Sequence, residues 1–136
     1  MSELQHAMSF RDLIVHQRSR QLAKAIFEQS KSFPKEEAYS LTDQIRRAAR
    51  AIGAQIAEAW GKRRYERHFV SKLTDAVSEQ FETGHWIDIA LNCGYLTKEQ
   101  SNVVLEQFAE IGRMLNSMIN KADQFCGSPV TDDQED

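Results

Sequence analysis

The chain has 136 residues, 41% of them hydrophobic, with six Gly, two Pro and a formal net charge of -3. That length supports one domain with a real core, and the apolar fraction excludes a disordered chain. So few turn residues exclude an all-β fold, which needs a turn signal about every 8–12 residues; with no apolar run of about 18 residues, no membrane-spanning helix is expected.

The N-terminal stretch MSELQHAMSFRDL lacks the basic region and apolar run of a signal peptide, so the protein is expected to be cytoplasmic. Cys93 and Cys126 show no metal-ligand spacing and read as free thiols in a reducing compartment. Ser9 followed by Asp12 reads as a helix N-cap with an acid in the first turn. The first helix is expected over about 9–32, with Val15, Leu22, Ala23, Ile26 and Phe27 on its apolar face and Leu13 and Ile14 widening it. Pro34 disfavours helical geometry at Phe33 and ends it.

The second helix is expected over about 38–62. Leu41, Ile45, Ala48, Ile52, Ile56 and Ala59 step by four or three, so they share one face. Gly61 ends that pattern as a C-terminal cap. A third helix follows over about 64–93, with Phe69, Leu73, Ala76, Val77, Gly84, Ile87 and Leu91 on its core face. Val70, Phe81, Trp86 and Ile89 broaden that surface, and Asn92-Cys93-Gly94 stops the helix. Thr97 and Gln100 form a capping box for a fourth helix over about 97–125. Its seam is Val104, Phe108, Ile111, Leu115, Met118, Ala122 and Phe125, beside a smaller one of Leu105, Ala109 and Gly112. Residues 1–125 thus form a single domain, and the acidic tail over 126–136 is expected to be disordered.

Four long helices on short connections predict an all-α fold, an antiparallel four-helix bundle. The apolar stripes are wider than one bundle core needs, which predicts burial against another subunit and hence a homo-oligomer. Single surface apolars are common in any protein, and that is the competing explanation.

Charge is uneven. Residues 127–136 hold four acids and no base, and the rest of the chain carries a net +1. Residues 44–67 hold seven bases, Arg46, Arg47, Arg50, Lys62, Arg63, Arg64 and Arg67, against Glu58 and Glu66. With Ile45 at zero on a helical wheel, Arg46, Arg50 and Arg47 fall at about 100°, 140° and 200°. They form a stripe behind the core face, next to the small residues Gly53, Ala54 and Ala57. Guanidinium forks beside small residues suit phosphate oxygens, and such binding is sequence-independent and salt-sensitive. Trp60 and Tyr65 stand where they could stack on bases. Equally, a basic stripe opposite an apolar one is ordinary for an amphipathic helix, and Asp43 can pair with Arg46 or Arg47.

No GxxxxGK[ST], GxGxxG or GxSxG motif occurs. Glu82-Thr83-Gly84-His85 gives one Glu-x-x-His, half of a di-iron carboxylate site. The only other such pair, Glu3 and His6, precedes the first helix. No enzyme activity, metal or other cofactor is therefore expected.

FRDLIVHQ (10–17), FPKEEAYSLTDQIRRAARAIGAQIAEAWGK (33–62), HF (68–69) and ALNCGYL (90–96) resemble the 23S-rRNA intervening-sequence protein family. That family is similar to the accessory variability proteins of diversity-generating retroelements. Pattern residues present are Gln44, Ile45, Arg46, Arg47, Ala48, Ala49, Ile56, Ala57, Glu58, Ala76, Glu82, Ala90, Gly94 and Tyr95. The resemblance implies an up-down bundle assembled into a homopentameric barrel with a non-enzymatic role. The retroelement relatives that the family resembles are basic and bind nucleic acid. The chain departs from the pattern at His16, where the family usually has Trp, and at Ser78-Glu79, which replace a Gly-Ser pair. The expected function is a non-catalytic scaffold binding RNA or DNA weakly through the seven bases. The alternative is a protein–protein adaptor without nucleic-acid affinity.

Overall fold

The computed structural model describes residues 7–127. The acidic tail therefore lies outside the described residues from position 128 on, as does the Glu3-x-x-His6 pair. Four long helices make up the molecule: α1 (Ile14–Ser30), α2 (Leu41–Gly61), α3 (Glu66–Asn92) and α4 (Lys98–Asn120), followed by the single turn α5 (Ala122–Phe125). There is no strand among the described residues.

The first helix starts later than its cap signal suggests. Ser9 and Asp12 do form a capping box, but it closes a three-residue 3-10 turn, Phe10–Asp12. The Asp12 carboxylate accepts from the backbone N–H groups of Met8 (2.8 Å) and Ser9 (3.1 Å). Leu13 is then extended (φ -71°, ψ 127°) and buried, and the α-helix begins after it. At the far end α4 breaks at Lys121 instead of running to 125.

The stop signals divide. Gly94 adopts φ +76°, and Tyr95 and Gly94 donate their N–H groups to the carbonyls of Ala90 (2.9 Å) and Leu91 (3.0 Å). This is a Schellman close, which needs a left-handed residue and so favours Gly. Gly61 is no such cap: it is the last helical residue of α2, and Lys62 caps at φ -107°. The Thr97–Gln100 capping box is present as expected.

Each long helix packs chiefly on two others in a closed ring, α1 on α2, α2 on α3, α3 on α4 and α4 on α1, with α2–α3 the most extensive contact. All six positions expected on the α2 core face are buried, as are Val15, Leu22 and Ile26 of α1. Phe69, Leu73, Ala76 and Ile87 of α3 meet Val104, Ile111 and Leu115 of α4 in the same four-helix core. Phe108 is only half-buried, whereas the polar Gln80 and Thr83 are buried. Gln80 donates its side-chain amide to the Phe108 carbonyl at 3.0 Å, and Thr83 donates to the Glu79 carbonyl at 2.8 Å. Satisfied in this way, both can be buried at little cost. Phe81 (65%) and Val103 (53%) stand exposed on α3 and α4.

Candidate nucleic-acid interface

The stripe of arginines on α2 is real but divided in its contacts. Arg46 lies half-buried against α1. Its Nε donates to Ser30 Oγ at 2.8 Å, and its guanidinium sits 4.6 Å from the centre of the Phe27 ring. Arg50 is exposed, with its guanidinium 5.4 Å from the same ring. Arg47 points the other way and pairs with Asp43 at 2.9 Å, the i,i+4 spacing. So Arg46 helps bind α1 to α2, while Arg47 and Arg50 remain open to solvent.

The two flanks of this helix differ in charge. On the α3 side a groove of about 510 Å³ is lined by Gln44, Arg47, Arg50, Ala51, Glu79 and Glu82, among others. Partial burial pushes the Glu79 carboxyl above its usual value, helped by the like charges of Glu82 and Asp75. A polyanion approaching there meets carboxylates that repel it. On the α1 side a second groove, of about 350 Å³, has Arg20 and Arg50 on its walls and no carboxylate in its lining. Arg20 and His16 were absent from the expected site residues. The signal for His16 lay in the sequence, where it replaces a family Trp; the signal for Arg20 did not, because only the packing of α1 on α2 sets it opposite Arg50.

The second basic cluster sits at the corner between α2 and α3. Lys62, Arg64 and Arg67 are exposed there. Arg63 is half-buried, donates its Nε to the Trp60 carbonyl at 2.9 Å, and lies 3.5 Å from the centre of the indole. That occupies the face on which a base would stack, and Trp60 otherwise packs on the core. Tyr65 is crowded by His68, at 5.3 Å between ring centres, and by the Arg64 guanidinium at 5.6 Å. The expected stacking pair is thus engaged within the fold. Residues 47 and 62 are about 22 Å apart along the helix at 1.5 Å per residue, so the two clusters are separate patches.

The Glu82-x-x-His85 pair is engaged in contacts of its own. Glu82 accepts from Trp86 Nε1 at 3.4 Å, and the exposed His85 packs edge-on against that indole. Among the described residues no group of three His, Cys, Asp or Glu side chains could hold a metal. Cys93 and Cys126 are unpaired thiols. No helix of the described residues is long and apolar enough to cross a membrane.

The most specific run of the sequence turns out to be architectural. In FPKEE the Phe33 ring packs on Tyr95, 5.6 Å between centres. Glu37 Oε2 accepts from the Tyr95 hydroxyl at 2.9 Å, while its Oε1 accepts from the Leu41 N–H at 3.4 Å. The carboxylate beside the hydroxyl pushes the Tyr95 pKa up to about 12, with burial adding to it. One glutamate thereby ties the start of α2 to the loop after α3.

Residues 11–117 match the family model described as 23S rRNA-intervening sequence protein. The fold is also similar to a crystal structure of a protein with unknown function from the S23 ribosomal protein family of Bacteroides thetaiotaomicron VPI-5482. The two are 30% identical, with a TM-score of 0.71, over 79% of this chain and 96% of that one. No curated protein matches the chain. A match over most of the bundle means that the chain belongs to the 23S rRNA-intervening sequence protein family.

Proposed function

We propose that the protein is a non-catalytic, cytoplasmic, homo-oligomeric scaffold that binds RNA or DNA weakly. Its helices run up and down antiparallel, as a four-residue connection between α2 and α3 and a five-residue one between α3 and α4 favour. Five copies form a barrel, as the family resemblance implies. The observation that carries the binding is the set of exposed cations Arg47, Arg50, Lys62, Arg64 and Arg67 on one helix and its exit. Arg46 and Arg63 each belong to one of the two basic patches, but both are packed on aromatic rings. An interface of so few exposed cations in a net acidic chain gives weak, salt-sensitive affinity. Repetition around an oligomer multiplies it.

The second function considered is a protein–protein adaptor. Exposed Phe81 and Val103 favour it, as do Glu79 and Glu82 beside Arg47.

Fluorescence anisotropy of a labelled single-stranded RNA separates the two. The informative variant is Arg50→Glu/Lys62→Glu/Arg64→Glu/Arg67→Glu, which leaves the packed Arg46 and Arg63 in place. Wild type is expected to bind with a log–log salt slope of about -2 to -3 per protomer, which the variant loses at unchanged oligomeric mass. No binding by wild type even at low salt would leave the adaptor.

A further inference from the structure

The groove between α1 and α2 has features that the basic surface does not require. It is lined by His16, Ser19 and Arg20 from α1 and by Arg50, Gly53 and Ala54 from α2, with further alanines along its walls. Neither Arg20 nor Arg50 forms an ion pair with any described residue, although Arg18, Arg47 and Lys72 do. Two guanidinium groups on one groove with no carboxylate in its lining, Arg50 also resting 5.4 Å from the Phe27 ring, make its potential positive and favour an anion there.

His16 supplies a third element. Its side chain is more than nine-tenths buried, with its ring edge-on to Phe10 at 4.9 Å. Its Nδ1 is buried without a hydrogen-bond partner. Burial lowers its pKa, and the charges of Arg20 and Arg11 lower it further, so the imidazole is neutral at pH 7. A neutral imidazole carries one N–H, and in the Nε2-protonated tautomer that N–H is available to the groove. Nε2 is the edge turned to α2: a Cβ added at Gly53 would lie 3.7 Å from it and 3.0 Å from Ser19 Oγ. Ser19 itself donates to the His16 carbonyl at 2.7 Å, which fixes the turn of α1 that carries the histidine. At this point the floor is bare backbone, because Gly53 has no side chain.

We propose that this groove seats a single phosphate group, held between the Arg20 and Arg50 guanidinium groups with His16 Nε2–H as a neutral donor. Donors arriving from two helices suit a tetrahedral anion, whose oxygens point in several directions. A planar carboxylate is satisfied by one guanidinium fork. Arg50 is shared with the proposed nucleic-acid surface, but His16 and Arg20 are not, so their variants test the seat separately from it.

The test uses the full chain, 15N-labelled, titrated with inorganic phosphate against chloride at matched ionic strength. The Gly53 amide and the His16 imidazole are followed by NMR. Both signals are expected to shift saturably with phosphate and not with chloride. Arg20→Gln and Arg50→Gln are each expected to weaken the apparent affinity about tenfold or more. Arg18→Gln, one helix face away and paired with Glu110, is expected to leave it unchanged. His16→Phe keeps a ring against Phe10 and removes the donor; it should weaken binding several-fold at an unchanged melting temperature or above it. Adenosine monophosphate and a short RNA then identify the source of the phosphate. Competition by the nucleotide points to a free phosphomonoester, and competition by the RNA alone to a backbone phosphate. Absence of a saturable shift, an equal response to chloride, or wild-type affinity in Arg20→Gln overturns the proposal. Protection of the groove by a neighbouring subunit, with no phosphate response, overturns it too. Phosphate shifts that persist where RNA fails to bind would sink the nucleic-acid scaffold and leave the seat standing.

Discussion

Two glycines within helices face opposite surroundings. A Cβ at Gly84 would lie 2.6 Å from Phe108 Cε1 and 2.9 Å from its Cζ, so the ring would have to move. The Phe108 backbone is held to α3 by the Gln80 amide, so the relief has to come from the ring itself. Overpacking of this kind costs about 1–3 kcal/mol, more than the roughly 1 kcal/mol of helix propensity that Ala gains over Gly. Gly84→Ala is therefore expected to lower the urea unfolding midpoint, and adding Phe108→Leu should restore most of it. Gly61 has nothing within 4 Å of an added Cβ and no left-handed backbone. Gly61→Ala should accordingly raise the same midpoint, through a stability gain of up to about 1 kcal/mol.

His16 gives a pH prediction at this scale. The fold lowers its pKa below the unfolded 6.5, so the unfolded chain binds a proton that the native one refuses. Stability contributed this way is present above pH 6.5 and is lost as pH falls toward the folded value. Thermal melts of wild type and His16→Phe between about pH 5 and pH 7.5 check it. The wild type should lose more melting temperature on acidification. Glu79 has the opposite sign. Its raised pKa means that the native state holds the proton longer, so its charged form penalises the fold as pH rises past the unfolded value. Glu79→Gln should stabilise at neutral pH and make no difference well below the usual carboxylate range.

For the helices, sequence periodicity and contact tell different parts of the story. The six-residue α2 core face was legible because a 3.6-residue period admits one such face, and all six positions are buried. The opposite stripe was legible as charge but not as contact. Arg46 and Arg47 are neighbours in sequence, yet one packs on α1 and the other pairs within α2. A hydrogen bond and a cation–π contact together make Arg46→Ala cost about 1–2 kcal/mol. Arg47→Ala removes an exposed helical ion pair worth about 0.3–0.5 kcal/mol. Differential scanning calorimetry of the two single variants should show a clear drop for the first and almost none for the second. Binding assays on any variant lacking Arg46 would otherwise confuse loss of fold with loss of affinity. The start of α1 was misjudged for a related reason. Ser9 and Asp12 make a good capping box, but a capping box closes any turn and does not specify how many residues follow.

Over the whole molecule, charge is the quantity the sequence carries most directly. The four acids of residues 132–136 take a net +1 to -3. Net negative charge of that size disfavours the approach of a polyanion to the chain as a whole. Truncation after Gly127 is expected to tighten RNA binding several-fold at low salt, with the difference fading at high salt as screening sets in. Anisotropy of the same labelled RNA checks it, and equal affinities would mean that the basic surface is not what the RNA meets. The ring of helix contacts is equally a whole-molecule property, since α1 closes on α4 across nearly the full chain length.

Local and periodic features were determined by the sequence itself. These are the four helices, the Gly94 stop, the Thr97–Gln100 box, the core faces and the position of the bases. Each depends on residues within one or two helical turns of one another, so spacing and side-chain type suffice. Only the tertiary structure decided which bases stay in solvent, because that depends on what the neighbouring helix presents. Phe27 and Ser30 of α1 engage Arg46, and Trp60 takes Arg63. Glu37 and Tyr95, distant in sequence, proved to be a structural lock. Arg20 and Arg50 line one groove for the same reason: two helices pack side by side, and no pattern along either one records what lies opposite.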